Sequence, residues 1–195
     1  LEFALVVRAA DTEINRMEVS IDEECIRILA RRQPAASDLR LIIGISKSVI
    51  DLERIGDEAT KIAKRTLQLS EDGAAPRGYD EIRHIGAQVR RMVQEALDAF
   101  ARFDVDLALA VSQYDKTIDR EYKSALRELV TYMMEDPRSI SRVLSVIWVL
   151  RSLERIGDHA RNIAELVVYM VHGTDVRHKS LLPSKSADEP ADTPE

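Results

Sequence analysis

Hydrophobic residues recur every three or four positions along most of this chain, which is the spacing of one face of an α-helix. In the first 32 residues this stripe is formed by Val7, Ala10, Ile14, Met17, Ile21, Cys25 and Ile28. A similar stripe covers residues 79–102. No segment alternates apolar and polar residues for long enough to predict a strand. The pattern therefore predicts an all-α protein.

Residues that begin and end helices divide the first part of the pattern into two helices. The first covers about 1–32 and is ended by Pro34. Ser37 is predicted to cap the second, over about 38–70. The segment from 71 to 79 contains two glycines and a proline, which predicts a linker between two halves of the chain.

The rest of the pattern predicts three more helices. One covers about 79–102, and the next covers about 105–135 with Asp104 as its N-cap. Asp136 followed by Pro137 predicts that the last helix starts there. It runs to His172 and ends at Gly173. Residues 174–195 are polar and rich in Pro, Ser, Asp and Glu, which predicts a disordered tail.

A six-residue stretch occurs twice in this chain. Leu-Glu-Arg-Ile-Gly-Asp at 52–57 returns unchanged at 153–158, 101 residues later. The likeness extends to Asp11-x-x-Ile14-Asn15, which matches Asp115-x-x-Ile118-Asp119. This internal repeat predicts two tandem three-helix bundles, residues 1–73 and 79–173. Because the first half shows only two helices, we expect that its N-terminal helix is missing upstream of Leu1.

Each half carries two acidic pairs, and each pair lies four residues apart on one helix face. Helices joined by a short connection pack antiparallel, so the two pairs of one half are expected to face each other. Crowded carboxylates repel one another unless a proton, a basic side chain or a cation neutralises them. Oxygen donors suit Fe, Mn, Mg, Ca or Zn. The candidate metal ligands are Glu53, Asp57, Asp11, Asn15, Glu154, Asp158, Asp115 and Asp119.

Two other interpretations of the acidic pairs remain open. The first is surface ion pairing within each helix, between Arg54 and Glu58, Asp57 and Lys61, Arg151 and Glu154, and Asp158 and Arg161. The second is a di-iron-type carboxylate enzyme built in a helical bundle. Such an enzyme would need a duplicated Glu-x-x-His, whereas Glu81-x-x-His84 has no second copy. Gly56 and Gly157 lie inside helices, which predicts a close helix approach or room beside the carboxylates.

The composition excludes several classes of function. The net charge is −6 without a long basic run, and aromatic residues make up 5%, which argues against a nucleic-acid partner. A single cysteine, Cys25, excludes an internal disulfide and fits a reducing compartment. No apolar run is long enough to span a bilayer. The segment 147–150, which includes Trp148, is apolar on most sides and is predicted to be buried in both the bundle and a dimer.

Four segments, taken together, closely resemble the PhoU family. They are residues 30–40 (Ala-Arg-Arg-Gln-Pro-Ala-Ala-Ser-Asp-Leu-Arg), 52–57, 131–136 (Thr-Tyr-Met-Met-Glu-Asp) and 153–158. The resemblance implies two three-helix bundles, and it would explain the expected missing helix. In some members acidic motifs bind clusters of iron or zinc, which implies metal at the positions named above. Asn15 departs from the motif, so we expect the first half to bind metal less tightly, or differently, than the second.

The resemblance implies regulation and not catalysis. PhoU-like proteins are cytoplasmic negative regulators of the bacterial phosphate-starvation response and of phosphate uptake. They act as adaptors between the ATPase component of a phosphate ABC transporter and a sensor histidine kinase, and many are homodimers. From this likeness we expect the same partners, no nucleic acid and no direct insertion into the membrane.

Overall fold

The computed structural model describes residues 2–173, so the tail predicted at 174–195 lies outside the described residues. The chain forms five α-helices and one short 3₁₀ turn at Pro137–Ser139. No strand occurs within 2–173, which confirms the all-α prediction. The α-helices are α1 (Glu2–Arg32), α2 (Ala36–Asp72), α3 (Tyr79–Arg102), α4 (Val105–Glu135) and α5 (Ile140–His172).

The helix ends follow ordinary capping chemistry in the second half of the chain. The carboxylate of Asp104 accepts a hydrogen bond from the backbone N–H of Leu107 at 3.0 Å, as predicted. Gly173 adopts the left-handed conformation (φ 71°), and its N–H donates to Tyr169 O at 2.8 Å, which closes α5. Asp136 opens the 3₁₀ turn, so α5 begins at Ile140 and not at the predicted Pro137.

The predicted cap at Ser37 is wrong. Helix α2 begins at Ala36, and the residue before it, Ala35, is extended and makes no side-chain hydrogen bond to the helix. Ser37 is therefore already inside the first turn, where its hydroxyl is not in the capping position.

The second half is a complete three-helix bundle. Helices α3, α4 and α5 pack on one another around a core of side chains that are almost fully buried. Helix α2 packs along α5, where Gly44 gives room to the thioether of Met170. Helix α1 packs on α2 and on no other described element. The largest core residues are Ile85, Met92, Ile118, Leu129, Leu150 and Ile163.

The first half is an open hairpin of α1 and α2. Its helices bury much less apolar surface than the bundle does. On α1, Leu5 is 56% exposed and Ile26 is 59% exposed. In the part of the chain that the structure describes, no helix has both the length and the apolar character needed to cross a membrane.

Candidate functional site

The two glycines of the repeated motif mark where the helices of each half approach. A Cβ atom on Gly56 would lie 3.2 Å from Ile14 Cδ1 and 3.9 Å from Asp11 Oδ1. A Cβ atom on Gly157 would lie 3.7 Å from Asp115 Oδ1 and 3.8 Å from Ile118 Cγ2. In each half an aspartate and an isoleucine at equivalent positions of the repeat thus lie against the motif. The glycines permit this approach because they carry no side chain.

The acidic cluster of the second half is formed by Asp115, Asp119, Glu154 and Asp158; two of these acids are buried and two are partly exposed. Asp115 is 3% exposed and Glu154 is 9% exposed. The guanidinium of Arg161 is hydrogen-bonded to Asp115 Oδ2, and it lies 3.1 Å from Asp158 Oδ1. Arg161 therefore supplies a positive charge inside this cluster.

Burial and mutual repulsion act on these carboxylates. Burial raises the pKa of Asp115 above its usual value, although Arg161 works in the opposite direction. Burial also raises the pKa of Glu154, and the neighbouring charge of Asp158 adds to this effect. Asp119 contributes to both shifts, so the four acids lie close enough to repel one another.

One oxygen of the second cluster lacks a partner. Glu154 Oε1 accepts a hydrogen bond from Arg151 at 2.7 Å, but Glu154 Oε2 is buried without one. Asp115, Asp119 and Arg161 also line a cleft of about 930 Å³ between α2, α4 and α5. A buried anionic oxygen without a donor is costly and is suited to receive a cation or a proton.

The acidic cluster of the first half is formed by Asp11, Glu53 and Asp57 together with Asn15. Thr60 Oγ1 donates a hydrogen bond to Asp11 Oδ1 at 3.3 Å. Burial raises the pKa of Glu53, and Asp57 raises it further. The amide oxygen of Asn15 is buried without a hydrogen-bond partner.

The cations near the first cluster lie at the surface. Arg54 is 57% exposed, with its nitrogens 3.5 Å from Glu53 Oε2 and 3.7 Å from Asp57 Oδ2. Glu18 also raises the pKa of Glu53, so it adds a further negative charge that the sequence analysis missed. A signal was present, since Glu18 follows Asp11 by seven residues, which is two helical turns.

Thr60 and Arg161 occupy equivalent positions of the repeat, each three residues after the second acid of the motif. Both contact the facing acid of their own half, Asp11 and Asp115 respectively. The sequence pattern predicted only the pair of Arg161 with Asp158 and gave no role to Thr60. Extending the repeat comparison three residues past the motif would have found both.

The predicted ion pairs within the helices are only half correct. The pairs Arg151–Glu154 and Arg161–Asp158 are present. The two predicted for α2 are replaced: Arg54 lies beside Glu53 and Asp57, as described above, while Lys61 Nζ contacts Glu58 Oε1 at 2.8 Å. The reason is that Glu58 is 3% exposed and points into the α2–α5 contact, away from Arg54.

The donor chemistry of both clusters fits a hard or borderline cation. Carboxylate and amide oxygens are the ligands that such ions prefer, and each cluster has one buried oxygen without a partner. Within residues 2–173, however, no three His, Cys, Asp or Glu side chains are placed so that they could hold one metal ion together. Binding would therefore require some of these side chains to change rotamer.

Comparisons with known proteins agree with one another. A family model described as "PhoU domain" matches residues 1–66 and 82–167, which are the two halves of the repeat. A relative from Pseudomonas putida, a phosphate-specific transport system accessory protein PhoU homolog, is 81% identical over 175 residues. That alignment covers 90% of this chain and 68% of the relative.

Two solved structures share the fold. The crystal structure of PhoU from Pseudomonas aeruginosa has a TM-score of 0.87 and 78% identity, covering 88% of this chain and 82% of that one. The crystal structure of the phosphate transport system regulatory protein PhoU from Streptococcus pneumoniae has a TM-score of 0.81 and 34% identity, covering 90% and 82%. The chain belongs to the PhoU family.

Proposed function

We propose that this chain is a regulatory, non-enzymatic component of the phosphate transport system. In this role it restrains phosphate uptake and the phosphate-starvation response when phosphate is plentiful. The observation that carries the proposal is the family match across both halves of the repeat, with relatives that are named as accessory or regulatory proteins of phosphate transport.

The proposed mechanism is that of an adaptor. The chain contacts the ATPase component of a phosphate ABC transporter and a sensor histidine kinase, and it holds the kinase in its signalling-off state. It acts in the cytoplasm as a homodimer. An all-helical body with charged, exposed outer faces suits this role, since such faces can form protein contacts of moderate size.

A gene deletion tests the regulatory role. We expect cells without this gene to express phosphate-starvation genes in phosphate-rich medium, and a plasmid copy of the chain to restore repression. A promoter reporter measures both effects. Unchanged reporter activity after deletion would contradict the proposal.

We further propose that the acidic clusters bind a metal ion, with iron or zinc as the first candidates and Mn, Mg or Ca as others. Glu53, Asp57, Asp11 and Asn15 would supply oxygens in the first half. In the second half Glu154, Asp158, Asp115 and Asp119 would supply them. A cation would relieve the repulsion that raises the pKa of Glu53 and Glu154.

Elemental analysis tests this second proposal. The wild-type chain is compared with Glu154→Gln/Asp158→Asn and with Glu53→Gln/Asp57→Asn, each purified without added metal. Asp98→Asn/Glu135→Gln is the matched control, because both acids are exposed and neither belongs to an acidic cluster. Metal that is lost only from the cluster variants supports the proposal, and metal-free wild-type protein after incubation with iron or zinc contradicts it.

The alternative of a di-iron-type enzyme gains no support from its only Glu-x-x-His. The ring of His84 contacts Gln88 and Glu121, and neither of these belongs to an acidic cluster. Oxygen consumption by the iron-loaded chain separates the two functions, since an adaptor should show no turnover.

A further inference from the structure

A second groove lies between the C-terminal half of α2 and the N-terminal half of α5, and the metal proposal does not use it. Its volume is about 480 Å³. Five basic side chains line it, together with one aromatic ring and the polar side chains of Glu58, Gln68 and Ser152. The residues that define this basic groove are Lys61, Lys64, Arg65, Trp148, Arg151 and Arg155.

Part of the positive charge in the basic groove is not neutralised within the described residues. The buried carboxylate of Glu58 is shared by Lys61 at 2.8 Å and Arg155 at 3.3 Å. Arg151 is paired with Glu154. Among the described side chains, Lys64 and Arg65 form no ion pair with a carboxylate, and Arg65 donates a hydrogen bond to Gln68 Oε1 at 2.8 Å. The groove is therefore locally positive, although the whole chain carries a net charge of −6.

Glu58 serves to hold these cations in place. Burial works against its charged form, but hydrogen bonds from Lys61 and Ser152 keep the pKa of Glu58 below its usual range. An ionised carboxylate at the floor of the groove fixes one end of Lys61 and of Arg155. The cations are thus partly ordered before any partner arrives, which lowers the entropic cost of binding.

Trp148 adds an exposed apolar surface to the basic groove. It is the only tryptophan of the chain, and it is 54% exposed. The guanidinium of Arg65 lies 5.9 Å from the centre of its ring. Tryptophan and arginine are the residues most enriched at the energetic centres of protein–protein interfaces. Within the single chain Val149 and Leu150 are buried while Trp148 is exposed, and burial of the segment 147–150 in a dimer stays a prediction.

The basic groove has a counterpart in the other half of the repeat, and the two can be compared. Six of the nine residues that line the groove have a counterpart 101 positions away in the lining of the cleft beside Asp115, so the α2 and α5 walls of the two are equivalent parts of the repeat. The residue types differ at these equivalent positions. The groove has Lys61, Lys64 and Arg65 on its α2 wall. On the corresponding α5 wall, the cleft has Asn162, Glu165 and Leu166. Basic side chains outnumber acids in the groove, whereas the cleft has three basic side chains and four acids.

The shape of the groove favours an extended acidic partner over a small anion. Its walls are mid-helix segments, whose backbone N–H groups already bond within α2 and α5. A small phosphate would lack the convergent backbone donors that usually bind it. The basic side chains from Lys61 to Arg65 extend over about 6 Å of helix axis, and they can neutralise several charges in a row.

We infer that the basic groove is a docking site for an acidic segment of a partner protein, with Trp148 packing against an apolar residue of that segment. The inference rests on the proposed function only in that the chain works through protein contacts. It does not depend on metal binding.

Binding of a labelled oligo-glutamate peptide tests the inference directly. Fluorescence anisotropy measures its affinity for the whole chain at low and at high salt, and the emission of Trp148 reports whether it occupies the groove. We expect saturable binding that shifts the emission and weakens with salt. Lys64→Glu/Arg65→Glu should bind roughly tenfold more weakly, because it replaces attraction by repulsion and leaves the partners of Glu58 in place.

The control variant is Lys123→Glu/Arg127→Glu, which makes the same change of charge on the exposed face of α4. It should bind the peptide like the wild type. The inference is overturned if the peptide does not bind, if both variants bind equally well, or if inorganic phosphate or ATP saturates the Trp148 signal at lower concentration than the peptide.

The reporter strain described above separates failure of this inference from failure of the proposed function. If the wild-type chain does not restore repression, the regulatory role fails. If the wild type and Lys64→Glu/Arg65→Glu both restore it fully, the regulatory role stands and the groove has no part in it. We expect the groove variant to lose repression and the α4 control to keep it.

Discussion

The two halves of this molecule place acids at equivalent positions but neutralise them differently. In the second half the guanidinium of Arg161 is bonded to Asp115, which is 3% exposed. In the first half the equivalent residue is Thr60, whose hydroxyl donates to Asp11 at 3.3 Å. The second cluster therefore carries its own cation, whereas the first has, among the described side chains, a neutral donor at the equivalent position and the exposed Arg54 nearby.

This difference changes the expectation for metal binding. The sequence predicted weaker or different binding in the first half, because Asn15 has an amide where Asp119 has a carboxylate. The structure shows a feature that should weaken metal binding in the second half instead, because a metal entering that cluster must compete with Arg161. We therefore expect the first cluster to respond to metal at least as strongly as the second. A repeated acidic motif does not by itself predict equal sites.

The largest expected effect is a loss of stability that differs between the two halves, because one half is packed more tightly than the other. Ile118 and Ile14 are equivalent, but Ile118 is fully buried while Ile14 is only half-buried. Ile118→Ala should lower the free energy of unfolding by about 3–4 kcal/mol, and Ile14→Ala by clearly less. Chemical denaturation measures both. Equal losses would mean that the open hairpin is packed as tightly as the bundle.

The next effect concerns the internal cation. Arg161→Thr gives the second half the residue of the first, and it leaves Asp115 buried without a counter-charge. Because the Arg161 side chain is 32% exposed, we expect a loss of about 2–3 kcal/mol, which is less than the roughly 3–5 kcal/mol for breaking a fully buried pair. Thr60→Ala removes one neutral hydrogen bond and should cost about 0.5–1 kcal/mol. Similar costs for the two variants would contradict the contrast between the halves.

Exchanging Thr60 and Arg161 between the halves tests whether these residues change the affinity for metal. Thr60→Arg should weaken metal binding at the first cluster about tenfold, which corresponds to roughly 1.4 kcal/mol. Arg161→Thr should strengthen binding at the second cluster by a similar factor. Calorimetric titration with zinc measures each effect, in a background where the other cluster is neutralised by Gln and Asn. Unchanged affinities would show that these residues do not compete with the metal.

The smallest expected effect is a dependence of stability on pH. Because the folded-state pKa of Glu154 is raised, its proton stabilises the fold below the ordinary pKa of about 4.3, and this stabilisation is lost as pH rises through the folded value. Glu154→Gln should therefore raise the melting temperature at neutral pH and give no gain in acid.

Glu53→Gln should behave in the same way but more weakly, since the side chain of Glu53 is 17% exposed against 11% for Glu154. Thermal unfolding between pH 3 and pH 7 checks both variants without added metal, with the pH range chosen to span the ordinary carboxylate pKa. A gain for Glu154→Gln that persists in acid would contradict a role for its ionisation.

The number and order of the helices could be predicted from the sequence because local signals define them. Asp104 and Gly173 act through groups within one helical turn, and both predictions are correct. Ser37 failed because Ala35 and Ala36 give no local sign that α2 begins before it. Helix ends without side-chain caps are determined by packing, which a local pattern does not contain.

The candidate site was predictable only where the repeat supplied a second copy. Asp11 and Asp115 were placed against the motif because they recur together with an isoleucine. Arg161 and Thr60 are different residue types, so identity between the two halves of the repeat does not indicate them. The basic groove requires the α2–α5 contact, which brings Lys61 within reach of Arg155 across 94 positions of sequence. No spacing rule within one helix predicts such a contact.

Within residues 2–173 helix α1 packs on α2 alone, which has a mechanical consequence. The 31 residues of α1 form an arm about 46 Å long. A rotation of α2 by about 5° on the face of α5 would carry this arm with it and displace the end of α1 farthest from the rotation axis by roughly 4 Å. A partner that binds at the contact between α2 and α5 and rotates α2 would in this way move the first acidic cluster together with the hairpin. The hairpin would then act as a lever.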